Sequence, residues 1–205
     1  MADKQTFLNQ IKQGALDTWK KYGVLPSLVA SQAILESGWG GSELATKGNN
    51  LFGIKADSSW KGTIIELPTK EFVNNKWINT IAKWRVYNSQ DESVIDHGEY
   101  FINNKRYAKV LNEKDYKNVC KLVYEAGYAT NPEYPSKLIQ IIEQNNLSQW
   151  DKEVLDVKSE PVKTPVKNDK LYRLVTGTFV SKESAEKAKL LIEQEFGYTM
   201  YLKEE

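Results

Sequence analysis

The spacing of apolar residues predicts helices over the first quarter of the chain. Across residues 3–22 apolar side chains recur every three or four positions, which is typical of an amphipathic helix. A second helix over 26–37 begins with a proline in its first turn, and glycines terminate both helices. A short third helix over 42–48 ends at Gly48.

The next segment, 62–87, has a different pattern, because β-branched and aromatic residues dominate and turn residues recur at LPT and NN. We predict two or three short antiparallel strands there. Helices then resume, one from a capping box of Ser89 and Glu92, then others over 115–127 and about 134–146. The predicted fold class is α+β, a mainly helical domain whose small antiparallel β-lobe leaves a cleft between the lobes.

Two further segments follow this main domain, which we assign to residues 1–150. Residues 151–170 combine charges and prolines without an aromatic residue, so we predict an extended linker. Residues 171–205 predict a short βαβ unit, with a helix capped by Ser181 and stopped at Gly197.

Composition narrows the classes of function. Lys and Arg number 28 against 27 Asp and Glu, so no strong field favours nucleic acid or an anionic membrane as a partner. No stretch approaches the roughly 20 apolar residues of a membrane span, and MADKQTFLNQIKQ lacks the pattern of a signal peptide. One cysteine and one histidine exclude an internal disulfide and a zinc site of the usual ligands, so we expect no metal or other cofactor.

Glu36 stands out because it is the one charged residue between Lys21 and Glu43. Helical spacing places it on the face of Val29 and Ala33, so we expect it to point inward. Burial and the negative end of the helix dipole would both raise its pKa. A carboxylic acid that stays protonated near neutral pH is what a general acid needs to cleave an acetal. The alternative is a helix-terminal Glu satisfied by local hydrogen bonds.

The residues after Glu36 suit a sugar polymer. GWGG lets backbone approach a ligand closely, and Trp39 offers a flat apolar face on which a sugar ring can lie. The alternative is ordinary turn chemistry.

Five blocks, AILESGWGGSELA, NNLFGIK, TKEFVNNKW, KWRVYNS and AGYATNPEYPSKL, stand in this order across about residues 6–150. They resemble the N-acetylglucosaminidase domain of glycoside hydrolase family 73. That family includes bacterial autolysins, flagellar peptidoglycan hydrolases and phage endolysins. The resemblance implies a lysozyme-like helical fold with a β-lobe, and cleavage of peptidoglycan glycan strands after N-acetylglucosamine.

The resemblance places the catalytic acid on Glu36 and a second acidic residue on Glu71, before an aromatic residue and an Asn-rich turn. Glu66, five residues earlier, is the alternative. Strand alternation places Glu71 with Thr69 and Val73, and Glu66 on the opposite face. Either could instead be an ordinary exposed carboxylate.

The resemblance also matches four residues to the walls of the family's cleft. Tyr128 and Tyr134 of GYATNPEY match its tyrosines, and Asn50 and Phe52 match its NNLFGIK wall. Packing and turn formation are the alternative roles.

In the implied mechanism Glu36 protonates the glycosidic oxygen while the β-lobe carboxylate stabilises the oxocarbenium-like centre or activates water. A covalent retaining route and an inverting route both remain open. So does attack by the substrate's own acetamido group, supported by Tyr128.

Three other classes compete with this hypothesis. A lytic transglycosylase would use one acid and leave an anhydromuramic end. A cysteine peptidase would use Cys120 and His97, but Cys120 lies mid-helix among apolar residues, so we expect an inert thiol there and a structural histidine. A non-catalytic wall protein would bind glycan in the cleft without cutting it.

The C-terminal unit resembles half of a sporulation-related repeat (SPOR) domain, a module that binds peptidoglycan glycan strands; YRLVTGTFVSKESAEKA carries this resemblance. A unit this short lies below the roughly 40 residues at which lone domains become stable, so it needs a partner surface. We predict a homodimer in which two chains complete one four-stranded sheet. Packing against the main domain and partial disorder are the alternatives.

The expected biological setting follows from a wall-binding tail and the expected lack of a signal peptide. Both suit a phage endolysin, made in the bacterial cytoplasm and released to the cell wall by a holin. An autolysin exported by another route is the alternative.

Overall fold

The computed structural model describes residues 3–73, 76–156 and 181–196, in two compact units, Met1–Ser159 and Glu160–Glu205. The first unit begins with three helices, α1 (Lys4–Tyr22), α2 (Pro26–Ser37) and α3 (Glu43–Gly48). An antiparallel pair of strands, β1 (Ile64–Val73) and β2 (Lys76–Arg85), comes next. The chain continues through α4 (Gln90–Asn103), a 3₁₀ turn (Lys105–Tyr107), α5 (Tyr116–Glu125), α6 (Tyr134–Gln144) and α7 (Ser148–Leu155). This architecture confirms the predicted α+β fold class.

Short-range chemistry fixes the ends of the first three helices. Asp3 caps α1 by accepting from the Thr6 amide, and Gly23 ends it in the left-handed region at φ 69°. Gly38 ends α2 in the same way at φ 58°. α3 ends one residue later than predicted, because Asn49 rather than Gly48 adopts the left-handed conformation, at φ 50°.

The β-lobe is a single hairpin of two ten-residue strands, longer than the predicted short strands. The turn expected at LPT is wrong, because Pro68 lies within β1 opposite Ile81. Each strand of a two-stranded sheet has a free edge, where a residue without an N–H is tolerated. The predicted turn at NN falls on residues 74–75, outside the described residues.

The later helices lie within two residues of their predicted bounds. Ser89 caps α4 by accepting from the Glu92 amide, as predicted, while the Glu92 carboxylate accepts from the Asn88 amide at 2.8 Å. Asp115 caps α5 through two amides of the first turn.

The predicted linker starts too early, because residues 151–155 belong to α7. The charged sequence DKEVLD is typical of a linker, yet α7 packs against α1 and α2. Its Asp151 is buried, and Oδ1 accepts a 2.8 Å hydrogen bond from the amide of Ser27 in the first turn of α2. Residues 157–170 of the predicted linker lie outside the described residues.

α2 is the central helix of the unit. α1, α4, α5, α6 and α7 all contact it, and nine consecutive residues from Pro26 to Ile34 are buried. A helix that is apolar on nearly all sides takes this position because no face of it needs water. Its last turn carries Glu36, so the candidate acid is mounted on the most enclosed helix of the domain.

In the second unit, α8 (Lys182–Phe196) confirms the predicted helix, and the Ser181 hydroxyl caps it by accepting from the Ser184 amide at 3.2 Å. The two predicted strands beside it, at 171–179 and 198–203, lie outside the described residues. Among residues 3–73, 76–156 and 181–196, no helix has the length and apolar content to cross a membrane.

Candidate active site

A cleft of about 940 Å³ lies where the last turn of α2 faces the loop before the hairpin. Its lining comes from α4, α6 and the turn before α6, together with the loop at 52–57 and the end of β2. The predicted site residues that line it are Glu36, Phe52, Tyr128 and Tyr134.

Glu36 faces the cleft and is exposed within it, so the expectation of an inward-pointing acid is wrong in that respect. α2 ends at Gly38, so its last turn lies at the edge of the core rather than inside it. Although the residue as a whole is exposed, its carboxyl group is partly enclosed beside Tyr134. This partial burial raises the pKa of Glu36, and the hydrogen bond from Tyr134 partly offsets the rise. The net effect enlarges the protonated fraction, which a general acid requires.

Tyr134 is the direct partner of Glu36. It lies in the first turn of α6, is buried, and donates from its hydroxyl to Glu36 Oε1 at 2.9 Å. The same hydroxyl accepts from Nε2 of Gln32 at 3.1 Å. Burial and the neighbouring Glu36 raise the pKa of Tyr134, so it remains a neutral phenol that can donate.

Tyr128 stands beside Tyr134. The two rings stack with centroids 5.7 Å apart, and Tyr128 also meets the edge of the His97 ring at 5.7 Å. Burial raises the pKa of Tyr128 well above its usual value, so this phenol is also neutral. Both tyrosines therefore give the cleft an apolar wall with neutral hydroxyls, which suits an uncharged sugar.

Phe52 and Asn50, both expected to line the cleft as part of NNLFGIK, occupy different places in the structure. Phe52 lines the cleft and stacks on the His97 ring with centroids 3.8 Å apart. Asn50 does not line it: its amide group donates to the carbonyls of Ile54 and Arg85 at 2.9 Å each and accepts from the Ile54 amide. The buried amide of Asn50 joins the cleft loop to β2, and its expected contact with substrate stays a prediction.

Trp39 also differs from its expected role. Its indole packs edge-on against Phe7 at 5.9 Å, with the ammonium of Lys4 above it at 4.8 Å, and it is not among the residues that line the cleft. Three successive left-handed residues, Gly38, Trp39 and Gly40, turn the backbone towards α1. The flat apolar face thus covers the core rather than the cleft.

The two β-lobe carboxylates occupy opposite faces of β1. Glu66 pairs with Lys83, 3.7 Å away on β2, and both side chains are more than half exposed. It is not among the residues that line the cleft, so the alternative assignment to Glu66 is not supported. Glu71 lies on β1 opposite Ile78, and its side chain lies outside the described part of the chain.

Sequence reasoning missed a polar group in the lining of the cleft. Arg85 ends β2 and binds both carboxylate oxygens of Asp96 at 2.9 and 3.1 Å, and it reaches Asp57 at 3.5 Å. Hydrogen bonds from Ser59, with the charge of Arg85, lower the pKa of Asp57 and keep it ionised. Arg85 stood within KWRVYNS, but loop residues such as Asp57 carry no periodic signal.

The surroundings of Cys120 and His97 do not suit a cysteine peptidase. Cys120 is fully buried, and burial raises the pKa of its thiol to about 12, the opposite of what a nucleophilic thiolate requires. His97 is also buried and is hydrogen-bonded to Gln32 rather than to a thiol. Among the described residues, no three His, Cys, Asp or Glu side chains converge on a position for a metal ion.

Comparisons with known proteins give matches over most of the chain. Residues 12–147 match the family described as mannosyl-glycoprotein endo-beta-N-acetylglucosaminidase. The chain is 37% identical over 171 residues to the exo-glucosaminidase LytG of Bacillus subtilis, covering 81% of this chain and 60% of that protein. It is 36% identical over 146 residues to the peptidoglycan hydrolase FlgJ of Escherichia coli K12, covering 69% of this chain and 47% of FlgJ. It therefore spans about half of these relatives.

A similarity to solved structures covers the same region. The catalytic domain of the autolysin Auto from Listeria monocytogenes superimposes with a TM-score of 0.65 at 38% identity, over 72% of this chain and 86% of that domain.

Proposed function

The chain belongs to the glucosaminidase family, and on that premise we propose that it hydrolyses the glycan strands of bacterial peptidoglycan as an endo-β-N-acetylglucosaminidase. The single observation that carries this proposal is the Glu36 carboxyl group, held in a tyrosine-walled cleft with a raised pKa. That is the chemistry of a general acid in glycoside cleavage.

In this mechanism Glu36 donates its proton to the glycosidic oxygen as the bond to the anomeric carbon breaks, and the leaving sugar departs as an alcohol. Positive charge then develops on the sugar ring. In this proposal Glu71 of β1 stabilises that charge or activates the water that completes hydrolysis. Tyr128 supports the N-acetyl group, and Phe52 and Tyr134 form the wall against which the sugar lies.

Digestion of purified cell walls followed by mass spectrometry of the fragments tests this function. We expect reducing N-acetylglucosamine ends. Anhydromuramic ends would mean a lytic transglycosylase, and free N-acetylglucosamine as the main product would mean an exo-acting enzyme.

Substitution of the acid separates catalysis from binding. Glu36→Gln removes the proton donor and should lower kcat by about 10²- to 10⁴-fold while the protein still sediments with walls. Glu71→Gln should also lower kcat, whereas Glu66→Gln, on the opposite strand face, is the matched control and should retain activity. Retained lysis by Glu36→Gln would overturn the assignment, and a wild type that binds walls without cutting them would favour a binding protein.

For the C-terminal unit we propose a SPOR-like module that binds glycan strands and pairs with a second chain. The helix α8 supports this, since a βαβ unit requires one between its strands. Analytical ultracentrifugation of the full chain should show a dimer, and a version ending at residue 156 should be monomeric.

We further propose that the enzyme acts as a phage endolysin, so co-expression with a holin should lyse a bacterial host while expression alone should not.

A further inference from the structure

Four polar residues form one hydrogen-bonded series behind the acid. Nε2 of His97 lies 3.1 Å from Oε1 of Gln32, Nε2 of Gln32 lies 3.1 Å from the Tyr134 hydroxyl, and that hydroxyl lies 2.9 Å from Glu36. The series joins three elements, α4, α2 and α6. His97 and Gln32 are fully buried, so solvent does not compete for these bonds.

The orientation of the Gln32 amide group sets the direction of every bond in the series. The amide oxygen of Gln32 has no proton to give, so the proton between it and His97 must sit on His97 Nε2. The amide nitrogen of Gln32 donates to the Tyr134 oxygen. A phenol has one proton, and with its oxygen already accepting from Gln32, Tyr134 gives that proton to Glu36.

We propose that Gln32 and His97 are positioning residues for the hydrolysis, which lock the Tyr134 hydroxyl towards Glu36 Oε1 and so leave the acidic proton of Glu36 on Oε2. This inference rests on the proposed function. In a carboxylic acid the carbonyl oxygen is the better acceptor, so an oxygen that is held as an acceptor does not carry the proton. The other oxygen then presents it to the glycosidic oxygen.

His97 suits this task because its surroundings fix both its ring and its charge. Phe52 stacks on one face of the ring, and Phe101 meets its edge at 5.0 Å. Burial lowers the pKa of His97 to about 3, so the ring is neutral at neutral pH and can hold a single tautomer. The stack on Phe52 also connects the buried series to the cleft wall.

Two substitutions of His97 separate positioning from packing. His97→Phe keeps an aromatic ring against Phe52 but has no donor, whereas His97→Gln loses the ring and keeps an N–H for Gln32. If the donor matters, His97→Phe should lower kcat by about 10- to 100-fold with KM nearly unchanged, and His97→Gln should restore most of it. If the ring serves packing alone, the order reverses, and that result would overturn the proposal.

The tautomer of His97 gives a direct readout, because it is the only histidine in the chain. Two-bond ¹H–¹⁵N correlation spectra of the full-length wild type at pH 7 should show a neutral ring with the proton on Nε2. Gln32→Met, which removes the amide, should change this pattern, while Tyr134→Phe should leave it intact because the bond from His97 to Gln32 remains. A wild-type ring protonated on Nδ1 would reverse the series and refute the proposal.

This readout does not depend on turnover, so the two proposals fail separately. A wild type that does not cleave walls, yet carries the Nε2 proton, would refute the function and leave the hydrogen-bond geometry standing. A wild type that cleaves walls and tolerates His97→Phe and Gln32→Met in kcat would support the function and refute the positioning role.

Discussion

The hydroxyl of Tyr134, in the first turn of α6, donates a 2.9 Å hydrogen bond to Oε1 of Glu36, in the last turn of α2. This bond stabilises the ionised form of Glu36 and so lowers its pKa, against the larger effect of burial. Tyr134 therefore limits how far the pKa of the acid rises.

Tyr134→Phe should move the alkaline limb of the kcat/KM profile to higher pH. Without the donor, burial alone acts on Glu36, its pKa increases, and the active protonated form persists to higher pH. The rate at the optimum should fall about 10-fold because the acid is less well placed. Measurement of kcat/KM from pH 4 to 9 checks this, and a limb that moves to lower pH would contradict it.

Phe52 and Trp39 should separate substrate binding from stability. Phe52 lines the cleft, so Phe52→Leu should raise KM by roughly tenfold, the equivalent of about 1 to 1.5 kcal/mol of aromatic contact. Trp39 packs on Phe7, so Trp39→Ala should lower the free energy of unfolding by about 2 kcal/mol with KM unchanged. Steady-state kinetics and urea unfolding of both variants provide the comparison. A raised KM for Trp39→Ala would indicate that the indole contacts the substrate.

Asp151 should make stability depend on pH in a defined window. Burial raises its pKa to about 6, above its unfolded value, so the folded state binds the proton more tightly. Its contribution is full below pH about 4 and is lost as pH rises through about 6, a change of about 3 kcal/mol. Asp151→Asn keeps an oxygen for the Ser27 amide and should remove this dependence. The free energies of unfolding of both proteins, measured in urea between pH 4 and 7, should diverge as pH changes. Parallel dependence on pH would refute the raised pKa of Asp151.

Cys120 should resist alkylation in the folded protein. Its side chain is inaccessible and burial raises its thiol pKa to about 12, so iodoacetamide should react about a thousandfold more slowly than with a free thiol. Activity should survive the treatment. Mass spectrometry follows the adduct, and rapid labelling in denaturant is the control; modification that abolished activity in the native state would revive the peptidase hypothesis.

Local patterns were sufficient to predict most elements of the fold. Apolar spacing and caps gave the ends of α1 and α2, and strand composition gave the hairpin. α7 was missed because its charged residues match a linker, and its helix depends on docking to α1 and α2. Pro68 was wrongly assigned to a turn because proline is also tolerated at a strand edge that has no neighbouring strand.

The site was predictable only in part, for a similar reason. The isolation of Glu36 in an apolar run made it the candidate acid, because a lone charge at the end of an otherwise buried helix is costly unless it has a partner or a function. Trp39 and Asn50 were placed in the cleft by residue type, but backbone direction and buried hydrogen bonds decide where such side chains face. Gln32 gave no signal at all, because its importance arises from residues 65 and 102 positions away in the chain.

The docking of α7 sets the minimum length of a functional fragment. The match to the family ends at residue 147, yet the carboxylate that receives the Ser27 amide comes from residue 151. A fragment trimmed at the homology boundary would leave that amide without its acceptor and uncover α1 and α2. A fusion of the first unit to another domain should therefore be joined after residue 156, where α7 has ended.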